Sequence, residues 1–319
     1  MCALFGFLDY GRRVPARTLQ KLVQALANAS EVRGHHAAGI AYNKEEALTI
    51  FKRPKPAHKL HFRIPENTTA VMGHTRLTTQ GDQKDNYNNH PFRGQAGTEF
   101  ALAHNGIIYN DTTLRSKLRL PETQIETDSY IAVQLIEARK ELNFESLRYA
   151  AEQVRGYFTF TLLDRQNNLY FVKGESPLFL IHFSALGLYI YCSTKEIMTA
   201  ALKQIPVRFP KYEVVTLTEG EMLRISPDGK IIRSSYTVQE PYTIYIAHWF
   251  SDYFSTWDNP EKGSCSDEDY LLLIELCGYY GADPETIRYL RELGYSYTEI
   301  EDYLMYPENY SAELALAEL

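Results

Sequence analysis

Hydrophobic positions recur with two different periods along this chain, and each period predicts a different element. Between residues 16 and 30, the apolar residues Leu19, Leu22, Val23 and Leu26 are three or four positions apart, which predicts a helix with one buried face. Similar spacing predicts two further helices, over 128–142 and 195–203.

Short apolar runs bounded by turn residues predict strands. Such runs occur at 2–8, 38–43, 47–52, 69–75, 100–104, 156–164, 168–174, 178–183, 188–194, 212–218 and 221–226. The polar segment 78–98, rich in Asn, Gln, Asp and Gly, predicts a long loop, and loops of that length in compact domains are usually functional or disordered. Helices that flank many antiparallel-looking strands favour an α+β layered domain of roughly 230 residues.

The chain after residue 235 has a different character. Residues 236–262 form an aromatic-rich connecting segment, and 263–319 form an acidic extension in which three helices are predicted. Ser266 is the predicted N-cap of the first helix. The second begins at Asp283-Pro284 and ends at Gly294, and Thr298 with Glu301 forms a capping-box pattern at the start of the third. We therefore predict three parts: a domain at 1–235, the connecting segment and the extension.

The charge distribution supports this division and argues against a nucleic-acid partner. Residues 264–319 hold thirteen Asp and Glu against two Arg, a local charge of −11, whereas the whole chain carries −7. Residues 284–304 have the outline of a helix-turn-helix, but the second helix carries Glu299, Glu301 and Asp302 and no basic residue. Because phosphate neutralisation dominates affinity for nucleic acids, DNA binding is not expected.

Composition narrows the setting of the protein. No apolar run approaches the roughly 20 residues that span a bilayer, so no membrane association is predicted. The four cysteines show no spacing typical of a zinc site or a disulfide framework. A reducing cytoplasm is the expected location, and there a single thiol can stay reactive.

Four polar segments behind the N-terminal Met1-Cys2 pair carry the candidate chemistry. In chain order they are GHTRLTTQG (73–81), NNHPF (88–92), AHNGIIYN (103–110) and ETDSY (126–130). The first ends a predicted strand with Arg76, the third places Asn105-Gly106 at the end of another, and the fourth puts Asp128 at the start of a helix. Each segment alone is a weak signal; their order and spacing behind Cys2 are specific.

With these segments, residues 2–226 resemble the class II glutamine amidotransferase domain, an N-terminal-nucleophile hydrolase with a four-layer αββα fold. The resemblance implies that Cys2 is the nucleophile and that removal of Met1 supplies its base. A free α-amine titrates at about 7.7–8.0, which suits proton transfer from the neighbouring thiol. No metal or organic cofactor is expected.

The resemblance also implies the remaining roles in the site. Asn105 and Gly106 are expected to form the oxyanion hole. The substrate L-glutamine would be bound by Arg76 at its α-carboxylate, by Asp128 at its α-ammonium and by Thr79 in the turn after Arg76.

Two motifs depart from the family pattern. Members usually show Arg-Gly-x-Asp-Ser-x-Gly where this chain has RGHHAAG (33–39), so His36 and Ala37 replace Asp and Ser. The family motif that ends in Ala-Thr-His-Gly has Thr78-Thr79-Gln80-Gly81 in this chain. The adjacent histidines do not predict a metal site, because consecutive residues on a strand point to opposite faces. These departures favour rebuilt hydrogen bonding around the site.

The ammonia acceptor is not visible in the sequence. The residues that follow the resemblance contain no Gly-rich phosphate loop and no ATP motif. We therefore predict delivery of ammonia to a synthase on another chain. Two alternatives remain: an amidase for a different amide, which Arg76 and Asp128 disfavour because they suit a free α-amino acid, and a binding module that keeps the fold without turnover.

Overall fold

The computed structural model describes residues 2–45, 47–239, 270, 273–274, 277, 283–295, 300 and 303–304. The chain divides into two compact units, Met1–Tyr245 and Ile246–Leu319. The predicted three-part division at residues 235 and 262 stays a prediction, because 240–269 lie outside the described residues.

The first unit contains two antiparallel sheets. The first sheet has seven strands in the order β11-β9-β10-β1-β4-β2-β3. These strands are β1 (Ala3–Asp9), β2 (Ala37–Lys44), β3 (Ala47–Arg53), β4 (Ala70–Arg76), β9 (Phe179–Phe183), β10 (Leu188–Cys192) and β11 (Glu213–Val214). The strand that follows Cys2 is therefore central, with β10 on one side and β4 on the other.

The second sheet has six strands in the order β13-β12-β8-β7-β6-β5. These strands are β5 (Phe92–Ala96), β6 (Thr98–Ile108), β7 (Gly156–Asp164), β8 (Leu169–Lys173), β12 (Glu221–Ile225) and β13 (Ile231–Ser235). The strand β6 carries Asn105 and Gly106, and β7 pairs with it along its length.

Five helices of this unit cover the outer faces of the sheets. They are α1 (Ala16–Ser30), α2 (Asp111–Leu118), α3 (Tyr130–Ala138), α4 (Phe144–Gln153) and α5 (Lys195–Lys203). Thr194 caps α5 by accepting a hydrogen bond from the Ile197 N–H, and Asn143 and Ser146 form a reciprocal capping box at α4.

Three apolar cores separate four layers, which confirms the predicted αββα arrangement. Alternation along β1 shows how: Phe5 and Phe7 pack with α1 and α5, while Leu4 and Leu8 face the second sheet. The far face of the second sheet packs against α3 and α4 in a third core. Because both faces of each sheet are covered, strand ends at one edge are the places where polar side chains can meet.

The structure differs from the sequence prediction at several elements. The strand β6 continues through Ile108, so Asn105 and Gly106 lie within it and not at its end. Within the predicted loop 78–98, Phe92–Ala96 forms the edge strand β5 with alternating buried and exposed residues. The helix predicted over 128–142 spans only Tyr130–Ala138.

Other elements were not predicted or are shorter. The helices α2 and α4 and the strand β13 were not predicted, and only Glu213–Val214 of 212–218 is a strand. Asn143 three residues before Ser146, ahead of buried Leu147 and Ala150, is a capping signal that could have located α4.

The second unit is described in part. Its helix α6 (Pro284–Glu292) begins at the predicted Asp283-Pro284, where Asp283 accepts from the Glu285 N–H at 3.1 Å, and Gly294 follows its end with φ +88°. A small apolar cluster includes Leu273, Ile287 and Leu290. The predicted caps Ser266 and Thr298 lie outside the described residues. In the described part of the chain, no helix is long and apolar enough to cross a bilayer.

Candidate active site

Cys2 lies directly before β1 and is half-buried. Its thiol donates to the Leu77 carbonyl, with 3.5 Å between Sγ and O. Its own carbonyl accepts from Arg33 Nε at 2.9 Å. Burial raises the pKa of the Cys2 thiol, and the backbone of Leu77 and the charge of Arg76 oppose that rise. The thiol therefore needs a nearby base to react near neutral pH.

Asn105 supplies a buried donor without an acceptor among the described residues, and Gly106 follows it on the same strand. The Asn105 side chain is 1% exposed, and its Nδ2 has no hydrogen-bond acceptor among the described residues. A buried amide N–H without a partner costs about 1–3 kcal/mol, so such a group usually has a ligand or water to meet. Gly106 has φ +138°, and a Cβ there would lie 1.8 Å from the Tyr157 carbonyl oxygen. Only glycine fits that position.

Arg76 ends β4 and is the largest fully buried side chain of the described residues. Its guanidinium donates to Asn89 Oδ1 at 2.8 Å, to the Gly81 carbonyl at 3.1 Å and to the Gln80 carbonyl. Among the described residues, no carboxylate forms a salt bridge with it. Burial lowers its pKa, and the nearby Cys2 and Asp128 oppose this. A buried cation held only by neutral acceptors is suited to an anionic ligand.

Asp128 is 2% exposed and lies two residues before α3. Its Oδ2 accepts from the Ile108 N–H at 2.7 Å, which ties it to the end of β6. Ser129 Oγ donates to Oδ1 at 3.3 Å and bonds His104 Nδ1 at 2.7 Å. Burial lowers the pKa of His104, so that the imidazole stays neutral beside the carboxylate. Asp128 thus lies at the same strand as the Asn105-Gly106 pair.

The structure brings five of the six predicted site residues into one region. The charges of Arg76 and Asp128 act on the pKa of the Cys2 thiol, and Cys2 and Asp128 act on the pKa of Arg76, which requires that the three groups lie near one another. Asn105 and Gly106 lie on β6, which also donates to Asp128 through Ile108. Thr79, the sixth, is exposed in the turn after β4.

Two asparagines hold the loop between Arg76 and β5, and neither was assigned a role from sequence. Asn88 is fully buried; its Nδ2 donates to the Asp82 carbonyl at 3.1 Å and Glu126 Oε2 at 2.9 Å, and its Oδ1 accepts from the Glu126 N–H at 2.9 Å. Asn89 donates to the Gln83 carbonyl at 2.8 Å while accepting from Arg76. Both asparagines lie in the polar segment NNHPF (88–92) of the sequence, where neither was given a role.

The two family departures both contact this loop. His36 and His35 precede β2 and are not on a strand; their rings meet edge-on with 4.9 Å between centroids. His36 Nδ1 accepts from the Thr78 N–H at 3.0 Å. Gln80 contributes its carbonyl to Arg76. These two contacts are hydrogen bonds that the protein makes at the positions where it departs from the family pattern.

Comparisons with known proteins bear on the domain to which these residues belong. A family model described as "Glutamine amidotransferase domain" matches residues 74–200. The glutamine–fructose-6-phosphate aminotransferase [isomerizing] of Listeria innocua is 28% identical over 255 residues, covering 75% of this chain and 39% of that protein. The enzyme of the same name from Lactococcus lactis is 31% identical over 252 residues, covering 75% and 40%.

Two solved structures share the fold. The glutamine phosphoribosylpyrophosphate amidotransferase of B. subtilis, complexed with ADP and GMP, superposes with a TM-score of 0.55 at 21% identity, over 75% of this chain and 50% of that one. A structure described as the allosteric regulatory enzyme of purine biosynthesis gives 0.56 at 19%, with the same coverage. The chain spans about two fifths of the length of the curated relatives it matches.

Proposed function

The chain carries a class II glutamine amidotransferase domain, and from this premise we propose that it hydrolyses the side-chain amide of L-glutamine through a thioester on Cys2. One observation carries the proposal: the Cys2 thiol shares its electrostatic environment with a buried cation, Arg76, and a buried carboxylate, Asp128. A thiol next to one charge of each sign is complementary to an amide that belongs to a zwitterionic α-amino acid.

Substrate recognition follows from those charges. Arg76 binds the α-carboxylate of glutamine, which supplies the anion that its buried guanidinium lacks within the described protein. Asp128 binds the α-ammonium group. Thr79, in the exposed turn after Arg76, contacts the substrate from the solvent side.

The chemistry begins with the free α-amine of Cys2 after removal of Met1. This amine takes the thiol proton, and the thiolate attacks the amide carbon to form a C–S bond and a tetrahedral oxyanion. Asn105 Nδ2 and the Gly106 N–H donate to the oxyanion. When the C–N bond breaks, the protonated α-amine of Cys2 gives its proton to the leaving nitrogen, which departs as ammonia.

The second half regenerates the enzyme. Water attacks the γ-glutamyl thioester, and the α-amine accepts the proton of that water. The same oxyanion hole is used again as the C–S bond breaks. Glutamate is released, and the proton returns to the Cys2 sulfur.

Ammonia is then used by an acceptor enzyme on another chain, in a reducing, cytoplasmic setting that keeps the thiol free. The support for an acceptor comes from the names of the relatives, which combine glutamine with fructose 6-phosphate or with phosphoribosylpyrophosphate.

Mass spectrometry of the intact protein tests the proposal. We expect loss of Met1 and, after incubation with the glutamine analogue 6-diazo-5-oxo-L-norleucine, one covalent adduct that Cys2→Ala abolishes. Ammonia release should occur with glutamine and fall steeply with amides that lack the α-amine or the α-carboxylate.

Other outcomes contradict the proposal in different ways. Retained Met1 with no adduct would mean a binding module. Equal turnover of glutamine and of the amides without α groups would mean an amidase of different specificity.

A further inference from the structure

One peptide group connects the nucleophile to a histidine. The carbonyl of Leu77 accepts from the Cys2 thiol at 3.5 Å, and the N–H of the same peptide, on Thr78, donates to His36 Nδ1 at 3.0 Å. Because a peptide group is planar, its carbonyl and N–H cannot turn independently. The imidazole therefore fixes the direction of the carbonyl that holds the thiol.

His36 is itself held against this turn by its backbone. Its N–H donates to the Arg76 carbonyl at 2.9 Å, and the next residue, Ala37, pairs with Arg76 as β2 begins. Gly34 packs so closely that a Cβ there would lie 2.5 Å from Leu77 N. The segment before β2 and the turn after β4 thus form one unit, and the imidazole has little freedom to move away from Thr78.

We infer that His36 is a positioning residue for the nucleophile, and that its neutral imidazole fixes the Leu77–Thr78 peptide against the Cys2 thiol. This inference rests on the proposed function. A neutral imidazole with its proton on Nε2 has a lone pair on Nδ1 to accept the Thr78 N–H. A protonated imidazole has an N–H on both nitrogens, so that two donors would face each other and the peptide would be released.

The groups around His36 keep it neutral. The His35 ring contacts it edge-on, Arg76 and Arg33 lie on neighbouring segments, and the Cys2 thiol lies beyond the peptide. Among the described residues, no carboxylate makes a salt bridge with its ring. Burial lowers the pKa of His36, and His35 and Arg76 lower it further. The positioning contact is therefore present at neutral pH and is lost in acid.

Three variants test the inference. His36→Ala removes the acceptor, His36→Asn replaces Nδ1 with an amide oxygen that does not titrate, and His35→Asn is the matched control on the exposed neighbour. We expect His36→Ala to lower kcat for ammonia release from glutamine about tenfold with little change in KM, because the contact holds the nucleophile and not the substrate. His36→Asn should recover most of that loss.

The pH profile separates positioning from a merely structural role. Below the pKa of His36, kcat of the wild type should fall relative to that of His36→Asn and level off about tenfold lower, the loss expected when the contact is absent. His35→Asn should keep the wild-type kcat near neutral pH and show the same fall at a somewhat higher pH, because His35 lowers the pKa of His36 and its removal raises that pKa. Alkylation of Cys2 by iodoacetamide, read by peptide mass spectrometry between about pH 8 and about pH 5, should show the same change in the ratio of rates.

Two results would overturn the inference: kcat of His36→Ala equal to the wild type, or a ratio of wild type to His36→Asn that stays constant with pH while both variants merely melt earlier. The alkylation experiment does not require turnover. If the wild type hydrolyses no glutamine but its Cys2 alkylation still depends on His36, the proposed function fails and the positioning role stands.

Discussion

At the scale of single residues, the site contains polar groups that folding alone does not explain. Among the described residues, the Asn105 amide is buried without an acceptor and the Arg76 cation is buried without a salt bridge. Each arrangement costs folding free energy and each suits a charged ligand or transition state. Separate measurements of stability and activity can therefore distinguish these groups from the ones that hold the loop.

Asn105→Ala should separate the two properties. Removing one oxyanion donor costs about 2.7–4 kcal/mol of transition-state stabilisation, so we expect kcat to fall about 10²–10³-fold. The melting temperature should change little, because Asn105 Nδ2 makes no hydrogen bond with the described residues that would be lost. Kinetics of ammonia release and thermal unfolding followed by circular dichroism are the measurements.

Asn88→Ala is the matched control for that prediction. This buried amide makes three hydrogen bonds, so its removal leaves the Glu126 N–H and the Asp82 carbonyl without these partners and should destabilise the protein by about 1–3 kcal/mol. If Asn105→Ala lost stability to the same degree and kept its kcat, Asn105 would be a structural residue.

The sequence showed some of these residues better than others. Arg76, Asn105 and Asp128 were predicted from the order and spacing of their segments behind Cys2, and from the resemblance that this order carries. Asn88 bonds Glu126, 38 residues away, and the His36–Thr78 contact spans 42 residues. Contacts of that separation depend on how loops meet after folding, and no spacing in the chain reports them.

At the scale of elements, the local conformation at Gly106 is set by strand pairing. Gly106 lies opposite Phe158 in the β6–β7 ladder with φ +138°, and the Tyr157 carbonyl oxygen occupies the space where a Cβ would be. The backbone that we propose for the oxyanion hole is therefore part of a sheet and not of a turn. The strand continues past Asn105-Gly106, and this pairing holds the Gly106 backbone in place.

Gly106→Ala should consequently damage the fold. We expect a loss of more than about 3 kcal/mol in the free energy of unfolding, because the methyl group can be accommodated only by breaking the pairing with β7. Gly97→Ala is the control: its φ is +68°, but a Cβ there would be no nearer than 3.4 Å to any atom, so only about 1 kcal/mol of backbone strain is expected. Equal effects in urea unfolding would contradict this account of Gly106.

Elements with strong periodicity were predicted well, and weak ones were not. The helix α1 spans Ala16–Ser30 as predicted, because its apolar stripe is unbroken. The helix α2 buries only Asp111 and Leu114, too few positions to show a period. The edge strand β5 was not predicted because its exposed residues Arg93 and Gln95, which alternate with buried neighbours, make the segment look like a polar loop. Such elements exist because of what they pack against, which is tertiary information.

At the scale of the whole first unit, three apolar cores enclose buried imidazoles as well as aliphatic side chains. His74, His90 and His104 are each at most 2% exposed. Burial lowers the pKa of all three, to about 3 for His74 and well below the ordinary value for His90. Neutral histidines inside the fold make its stability depend on pH in one direction.

Stability of the first unit should therefore fall as pH drops below about 6.5. For His74 the folded pKa is lowered to about 3, so between these limits the unfolded chain binds a proton that the folded chain excludes. This linkage costs about 1.4 kcal/mol per pH unit, or about 2 kcal/mol by about pH 5 for His74 alone, and His90 and His104 act in the same direction. Hydrogen exchange of peptides from β4 and β6, read by mass spectrometry, measures the stability of the first unit. Tryptophan fluorescence would not, because Trp249 and Trp257 both lie in 246–319.

The variant His74→Gln tests the assignment to one residue. His74 Nε2 donates to the His104 carbonyl at 2.9 Å, and a glutamine amide can make the same bond without titrating. We expect the variant to be less stable than the wild type near pH 7, because the amide fills the site less well, but to lose about 2 kcal/mol less on going to about pH 5. If the variant lost as much stability in acid as the wild type, His74 would take up its proton at an ordinary pKa. Its burial beside His90 and His104 would then not exclude the charge.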